Sequence, residues 1–348
     1  MIDSVASEKL DRKSQSERIR EVIAQYRHPS TAKASWQLVN TLLPCVALWV
    51  LMFLSLQVSY WLTLLLAIPT AAFVVRSFII FHDCGHGSFL RSRLAMQIIG
   101  FFTGLMTLTP TASWWADHWR HHASTGDLDR RGVGDVWVMT VEDYESSPWW
   151  LRLWYRIYRH PVFMFLFGPF FVFVIVQRFP RPWAKKREVW SVIWMNLALG
   201  AVWTTLALTV GFKSYLMVHL PVLVLSGMAG FWLFYVQHNF EFAYWRKSPE
   251  HDGAQAALTG SSYFALPRVL QWFSGNIGFH HIHHLSPLIP NYSLESCHKE
   301  LPELSNVVKL NLRTSLHSLS LRLWDQSADR LISFGEWKRR RLGEPSHC

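Results

Sequence analysis

Apolar and polar residues alternate along this chain in long blocks. Residues 1–34 are charged, and 7–26 reads as a surface helix. The first long apolar run is Trp36 to Gln57 and the second Tyr60 to Phe81. The gap between them, Gln57-Val58-Ser59-Tyr60, has room only for a tight turn, so the two runs predict an antiparallel helical pair. Pro69 and Arg76 interrupt the second run; Arg76 lies near its end and is expected to snorkel towards the membrane interface. Further apolar runs follow at 94–112, 161–179, 190–211 and 215–236. Each is close to the roughly 20 residues that a helix needs to cross a bilayer.

The distribution of basic residues selects among these runs. Lys and Arg concentrate at 9–33, 91–93, 120–131, 152–159, 178–187 and 246–247, and again at Lys338 to Arg341. With spans at about 36–57, 60–81, 190–211 and 215–236, all of these segments fall on one side, and of the loops only Lys213 faces outward. The positive-inside rule makes that side cytoplasmic. Runs 94–112 and 161–179 then become re-entrant or interfacial, and both contain proline. The expected fold is an all-α membrane protein: four transmembrane helices carry a cytoplasmic helical cap. Its parts are a cytoplasmic N-terminal segment (1–35), the main domain (36–305) and a basic amphipathic C-terminal segment (306–348). The location expected is an inner membrane of a bacterium, multi-pass, with the site on the cytoplasmic side.

Composition agrees with a membrane protein. Half of the 348 residues are hydrophobic and only 17% are charged, against about 25% in soluble domains. The 19 tryptophans suit membrane–water boundaries, where an apolar ring needs one wet edge. The net charge of +10 raises the question of an anionic partner. Region 310–342 alternates Leu with polar residues and ends in Trp337-Lys338-Arg339-Arg340-Arg341, which predicts a basic helix lying on an anionic leaflet. No nucleic-acid recognition motif accompanies the charge, so no nucleic-acid partner is expected. Cys45, Cys84, Cys297 and Cys348 have no regular spacing, which argues against a disulfide framework or thiolate zinc site. The polar start of the chain predicts no cleavable signal peptide.

The 17 histidines carry the chemistry. His82 and His86 stand at i and i+4, on one face of a helix that continues the second span. His118, His121 and His122 stand at i, i+3 and i+4, and His280, His283 and His284 repeat that spacing. His238 stands where the fourth span meets the cytoplasm, and the topology brings all four groups to the same side. His281 points away from its neighbours' face. Imidazole suits Fe, Cu, Zn and Ni. Eight or nine neutral imidazoles exceed the coordination of one ion, so two ions are implied. The few carboxylates between them disfavour Mg or Ca, and a structural zinc site would be complete with four ligands. Two redox-active metals with open positions suit dioxygen activation. His-Glu-x-x-His is absent, and the Glu-x-x-His pairs at Glu295/His298 and Glu344/His347 do not form a carboxylate-bridged bundle.

At these residues the sequence resembles the membrane fatty acid desaturase family. The three boxes follow its His-x(3–4)-His, His-x-x-His-His and (His/Gln)-x-x-His-His patterns in order. The likeness runs between them through Phe81 to Phe89, Ser124 to Gly132, Gln237 to Glu241 and Gly275 to Pro287. It covers roughly residues 36–305 and is nearer the acyl-lipid omega-6/delta-12-like type than the acyl-CoA type. The resemblance implies two non-haem iron ions with dioxygen as co-substrate. The ligands it implies are His82, His86, His118, His121, His122, His238, His280, His283 and His284. Asp83, Asp117, Asp127, Asp129 and Glu241 are candidates to orient them, because metal-bound imidazoles commonly donate their other N–H to a carboxylate.

The reaction implied is the insertion of a cis double bond into a lipid-linked acyl chain, using dioxygen and two electrons, with no protein nucleophile or general base. The only His-Pro pairs, His28-Pro29-Ser30 and His160-Pro161-Val162, lack the Gly-Gly of a fused b-type cytochrome. A separate donor is therefore expected, ferredoxin-like or a b-type cytochrome, beside membrane lipid acyl chains as substrate. Two other readings remain open at this point. One is a di-iron hydroxylase or ketolase acting on lipids, alkanes or carotenoids. The other is a histidine-rich metal transporter, whose ligands should lie nearer the bilayer midplane.

Overall fold

The computed structural model describes residues 17–132, 134–304 and 306–343. It is mostly helical, and its apolar helices pack around one of their number. Helix α1 (17–26) precedes α2 (Thr31–Ser55) and α3 (Tyr60–His86), which form the antiparallel pair that the sequence predicts. Trp36, Leu43 and Leu54 stay exposed along α2, a surface suited to lipid. By contrast, α3 is largely buried between α2, α4 (Arg93–Met106) and α10 (Phe212–His238). Pro44 and Pro69 sit inside α2 and α3, where neighbouring helices make such breaks tolerable.

Arg76 departs from expectation. It does not snorkel but lies buried, donating to Thr41 Oγ1 at 3.1 Å and to the carbonyl of Trp272, with its guanidinium 3.8 Å from the centre of the Trp272 ring. A charged side chain held this way satisfies its donors without reaching water.

Two apolar stretches are bent. Helix α4 meets α5 (Thr111–Ser124) at 95°. After strand β1 (Met139–Thr140) and α6 (Val141–Ser146), α7 (Trp149–Tyr158) meets the helical segment α8 (Phe163–Arg178) at 67°. Helix α9 (Lys186–Leu206) and α10 belong to one apolar stretch of 53 residues. Gly211 breaks it, with φ +86° and ψ 140°. Leu223 packs on the cluster of Met195 and Leu199, whereas a continuous helix would hold Leu199 and Leu223 about 36 Å apart. The stretch therefore folds back at the glycine.

The remaining chain caps the histidine end of the helices. It runs through α11 (Gly253–Thr259), β2 (Tyr263–Phe264), α12 (Arg268–Phe273), α13 (His280–Leu285), α14 (Asn291–Glu300), β3 (Lys309–Leu310) and α15 (Leu312–Ser315). The segment at 17–26 is more than a surface helix, since Val22 and Ile23 are buried against Ile282 and Leu294 of this cap.

Region 310–342 is a second correction. It is not one amphipathic helix on a leaflet but the hairpin β4 (Leu321–Asp325) and β5 (Arg330–Ser333), followed by α16 (Phe334–Arg341). Strand β4 pairs in parallel with β1 and antiparallel with β5, with Met139 opposite Leu323 and Trp324 opposite Leu331. A second short pair joins β2 to β3. The cap is therefore not purely α-helical. Leu323, Leu331 and Trp337 face inward, so the apolar positions serve a core rather than a lipid surface.

Arg159 ties this hairpin to the helices. Fully buried, it donates to Trp137 O at 3.2 Å, Asn239 Oδ1 at 2.7 Å and Leu321 O at 2.9 Å. These acceptors come from the loop before β1, the residue after α10 and the first residue of β4, and a fourth, Tyr235 Oη at 3.3 Å, comes from α10 itself.

Candidate metal centre

The last turns of α3 present His82 and His86 on one face, and Gly87 ends the helix in the left-handed region at φ +71°. Helix α5 crosses directly against that turn. A Cβ on Gly85 would lie 2.3 Å from Trp115, so glycine is needed for the two helices to approach. Trp115 Nε1 donates to Phe81 O at 3.1 Å and Trp119 Nε1 to Gly85 O at 3.3 Å. His118, His121 and His122 are thereby brought over His82 and His86. Helix α13 closes the site from the other side. Gln237 Nε2, next to His238, donates to Ile277 O at 2.9 Å and so couples the end of α10 to the turn before α13.

Nine histidines converge in two groups: His82, His86, His118, His122 and His283 in one, and His121, His238, His280 and His284 in the other. Within each group, one ring nitrogen from every histidine lies within 4.8 Å of the others. His283 Nε2 is 3.1 Å from His82 Nε2 and 3.0 Å from His122 Nε2, and His280 Nε2 is 2.9 Å from His238 Nε2. Two ligands at right angles on one ion, each about 2.1 Å from it, would stand about 3.0 Å apart.

The hydrogen-bond accounting favours a cation. His121 turns Nδ1 to the Asp135 carboxylate, and His238 turns Nδ1 to Gly260 O at 3.1 Å. Both acceptors require an N–H on Nδ1, which leaves each Nε2 with a lone pair. Those two Nε2 atoms face each other at 3.2 Å. As neutral rings they repel, and a cation between them removes the conflict. His86 is buried with neither ring nitrogen partnered, and Nδ1 of His280 and His283 and Nε2 of His284 are likewise orphaned. Burial, then neighbouring imidazoles, hold His280, His283 and His284 well below the ordinary histidine range, so they are neutral donors. The residues present fit bound metal.

Of the carboxylates singled out from the sequence, Asp83 reaches a ring: its Oδ1 lies 3.0 Å from His82 Nδ1. Asp117 instead accepts from Arg120 and Arg181, Asp127 and Asp129 accept from Ser248, and Glu241 accepts from Arg330 at 2.8 Å. Sequence reasoning missed Asp135 and the Gly260 carbonyl. No spacing rule points to either, because both arrive by tertiary packing. His281 faces His298 at 3.1 Å, outside both groups.

Comparison with known proteins agrees with this geometry. The fatty acid desaturase family profile matches residues 58–313. A protein of Bacillus subtilis (strain 168) named fatty acid desaturase is 45% identical over 312 residues, covering 90% of this chain and 89% of its own. The chain belongs to the fatty acid desaturase family. More distant relatives include the sn-1 oleoyl-lipid 12-desaturase of Synechocystis sp., 27% identical over 67% of this chain and 66% of its own. Another is the chloroplastic omega-6 fatty acid desaturase of Glycine max, 26% identical over 72% of this chain and 59% of its own.

This desaturase has a cavity of about 830 Å³ reaching from His82, His118 and His280 to Trp49 and His219. His219 and Gln237, which both line it, are 18 residues apart on α10, about 27 Å along the helix. The cavity thus runs nearly the depth of a bilayer core. Phe78, Phe163, Phe171 and Phe231 are among its lining, so its walls suit an acyl chain, the substrate class of the family.

Proposed function

We propose that this desaturase places a cis double bond in a lipid-linked acyl chain at a centre of two non-haem iron ions. The ions would be held by His82, His86, His118, His122 and His283 on one side and by His121, His238, His280 and His284 on the other. The observation that carries this is the convergence of nine imidazoles, three of them lining one end of an acyl-sized apolar cavity. When bound, the iron pair supplies dioxygen activation and oxidation of an unactivated methylene. Asp83 and Asp135 fix the tautomers of His82 and His121, the apolar walls exclude water, and the cavity fixes which carbons face the metals. In balance, an acyl –CH2–CH2– unit, dioxygen, two electrons and two protons become –CH=CH– and two waters.

We further read α2, α3, α9 and α10 as four membrane spans, with 36–305 as the catalytic domain and the site on the cytoplasmic side of a bacterial inner membrane. The fold-back at Gly211 and the clustering of basic residues on the histidine side support this. Electrons come from a separate donor, ferredoxin-like or a b-type cytochrome. Expression in a host that makes saturated and monounsaturated lipids, followed by fatty-acid analysis with double-bond location, tests the reading. New cis unsaturation is expected. An unchanged profile with a competent donor present contradicts it, and a hydroxylated product assigns the site to hydroxylation instead.

A further inference from the structure

Trp119 stands between the histidines and the surface. Its indole is 42% exposed, yet its ring centre lies 4.9 Å from that of His86 and 6.2 Å from that of His122, both in the first histidine group. An exposed tryptophan in a membrane protein is commonly a boundary anchor, but its position argues otherwise. It bonds to Gly85 O, and Gly85 is 25 residues beyond Tyr60, about 37 Å along α3. A hydrocarbon core is about 30 Å thick, so Trp119 lies past it.

The surroundings are basic. Arg91, in the link that follows α3, and Arg93, the first residue of α4, are exposed. On the other side, Glu188 of α9 pairs with Arg120, next in sequence to Trp119, at 3.4 Å, which brings exposed Lys185, Lys186 and Arg187 beside α5. Among the described residues none of these five cations pairs with a carboxylate, whereas Arg120, Arg181, Arg246 and Arg330 do.

We propose that Trp119 with Arg91, Arg93 and Lys185–Arg187 forms the docking surface for a small acidic one-electron carrier protein, the indole being the contact through which its electrons pass to the His86 and His122 imidazoles. The inference rests on the desaturase reading, which requires two electrons per turnover from outside. Each docking oxidises one carrier and delivers one electron, so two dockings supply one double bond. Unpaired cations around an aromatic centre match an acidic partner in both steering and anchoring.

The test uses full-length, nanodisc-embedded protein and an acidic [2Fe–2S] ferredoxin as probe. Binding is measured on the metal-free protein, so the readout does not depend on turnover. The triple variant K185E/K186E/R187E is expected to weaken ferredoxin binding at least tenfold, and wild-type affinity should fall steeply with salt. The control triple K338E/R339E/R341E should bind as wild type. In the iron-loaded protein, Trp119→Leu should slow ferredoxin reoxidation at least tenfold at saturating ferredoxin, with Trp119→Phe recovering most of the rate. Dithionite, which needs no docking, should reduce every form alike.

Unchanged binding by the first triple, loss of binding by the control triple, or an unchanged rate in Trp119→Leu would overturn the proposal. So would a shift of Trp119 fluorescence driven by anionic nanodisc lipid alone, which would make the patch a headgroup site. Dithionite-supported desaturation without ferredoxin binding contradicts this inference only. Absence of desaturation under dithionite in the wild type contradicts the desaturase reading itself.

Discussion

His82 and His283, 201 positions apart in the chain, meet Nε2 to Nε2 at 3.1 Å. Asp83 sets the direction of the first ring. Its Oδ1 takes His82 Nδ1, while Oδ2 accepts from both the backbone N–H and the side chain of Asn291 at 2.7 and 2.8 Å. The carboxylate is thus pinned by the segment that follows the third histidine box. Asp83→Asn should keep the shape but lose the charge that orients the imidazole. Metal affinity is expected to fall about 10- to 100-fold, measured by Co2+ titration of the purified protein. Unaltered affinity would contradict the orienting role.

The cavity makes a prediction about substrate. Gly230 lines it on α10, and a Cβ there meets nothing within 4 Å. Gly230→Leu should therefore project into that space, shortening the acyl chains accepted or abolishing turnover while metal content stays unchanged. Product analysis across acyl lengths, with iron measured in parallel, checks this. An unaltered chain-length profile would mean that the acyl chain lies elsewhere.

Arg159 has no carboxylate partner among the described residues, and its terminal N–H groups end on Trp137, Tyr235, Asn239 and Leu321. Arg159→Met removes charged hydrogen bonds worth about 1.5–3 kcal/mol each and takes the side-chain donor from Trp137 O and Asn239 Oδ1, whereas Leu321 O still accepts from Asn239 Nδ2 at 3.1 Å. A marked drop in melting temperature is expected, together with loosened iron binding, because Asn239 adjoins His238. A variant that melts like wild type would show that the hairpin is not a support for the site.

Without metal, the centre should be sensitive to acid. Burial holds His280, His283 and His284 well below the ordinary range in the folded protein. In the unfolded chain they take protons near pH 6.5. Below that value the unfolded state binds more protons, so stability falls as pH falls, by about 1.4 kcal/mol per pH unit for each such group. Thermal unfolding of chelator-treated protein between pH 7.5 and 5.5 should show the melting temperature decreasing; a flat profile would contradict neutral, buried imidazoles.

The sequence made the helical histidines readable because i, i+3, i+4 spacing places His118, His121 and His122 on one face whatever packs against them. His238 was readable from its place at a span end. Asp135 was not, since its approach to His121 depends on Gly134, whose φ is +75° and where a Cβ would lie 2.9 Å from that of His121. The C-terminal hairpin was misread through its period. Leu321 and Leu323 alternate as in a strand, and the turn between Asp325 and Arg330, with Asp329 at φ +52°, separates two strands rather than two helical turns. Arg76 was misread because its acceptor, the carbonyl of Trp272, lies 196 residues away.

Iron content per chain tests the central claim most directly. Protein reconstituted anaerobically with Fe2+ should hold two ions, and His283→Ala and His238→Ala, one from each histidine group, should each hold about one. Wild-type protein with fewer than one ion, or both variants retaining two, would contradict a centre built from these nine histidines.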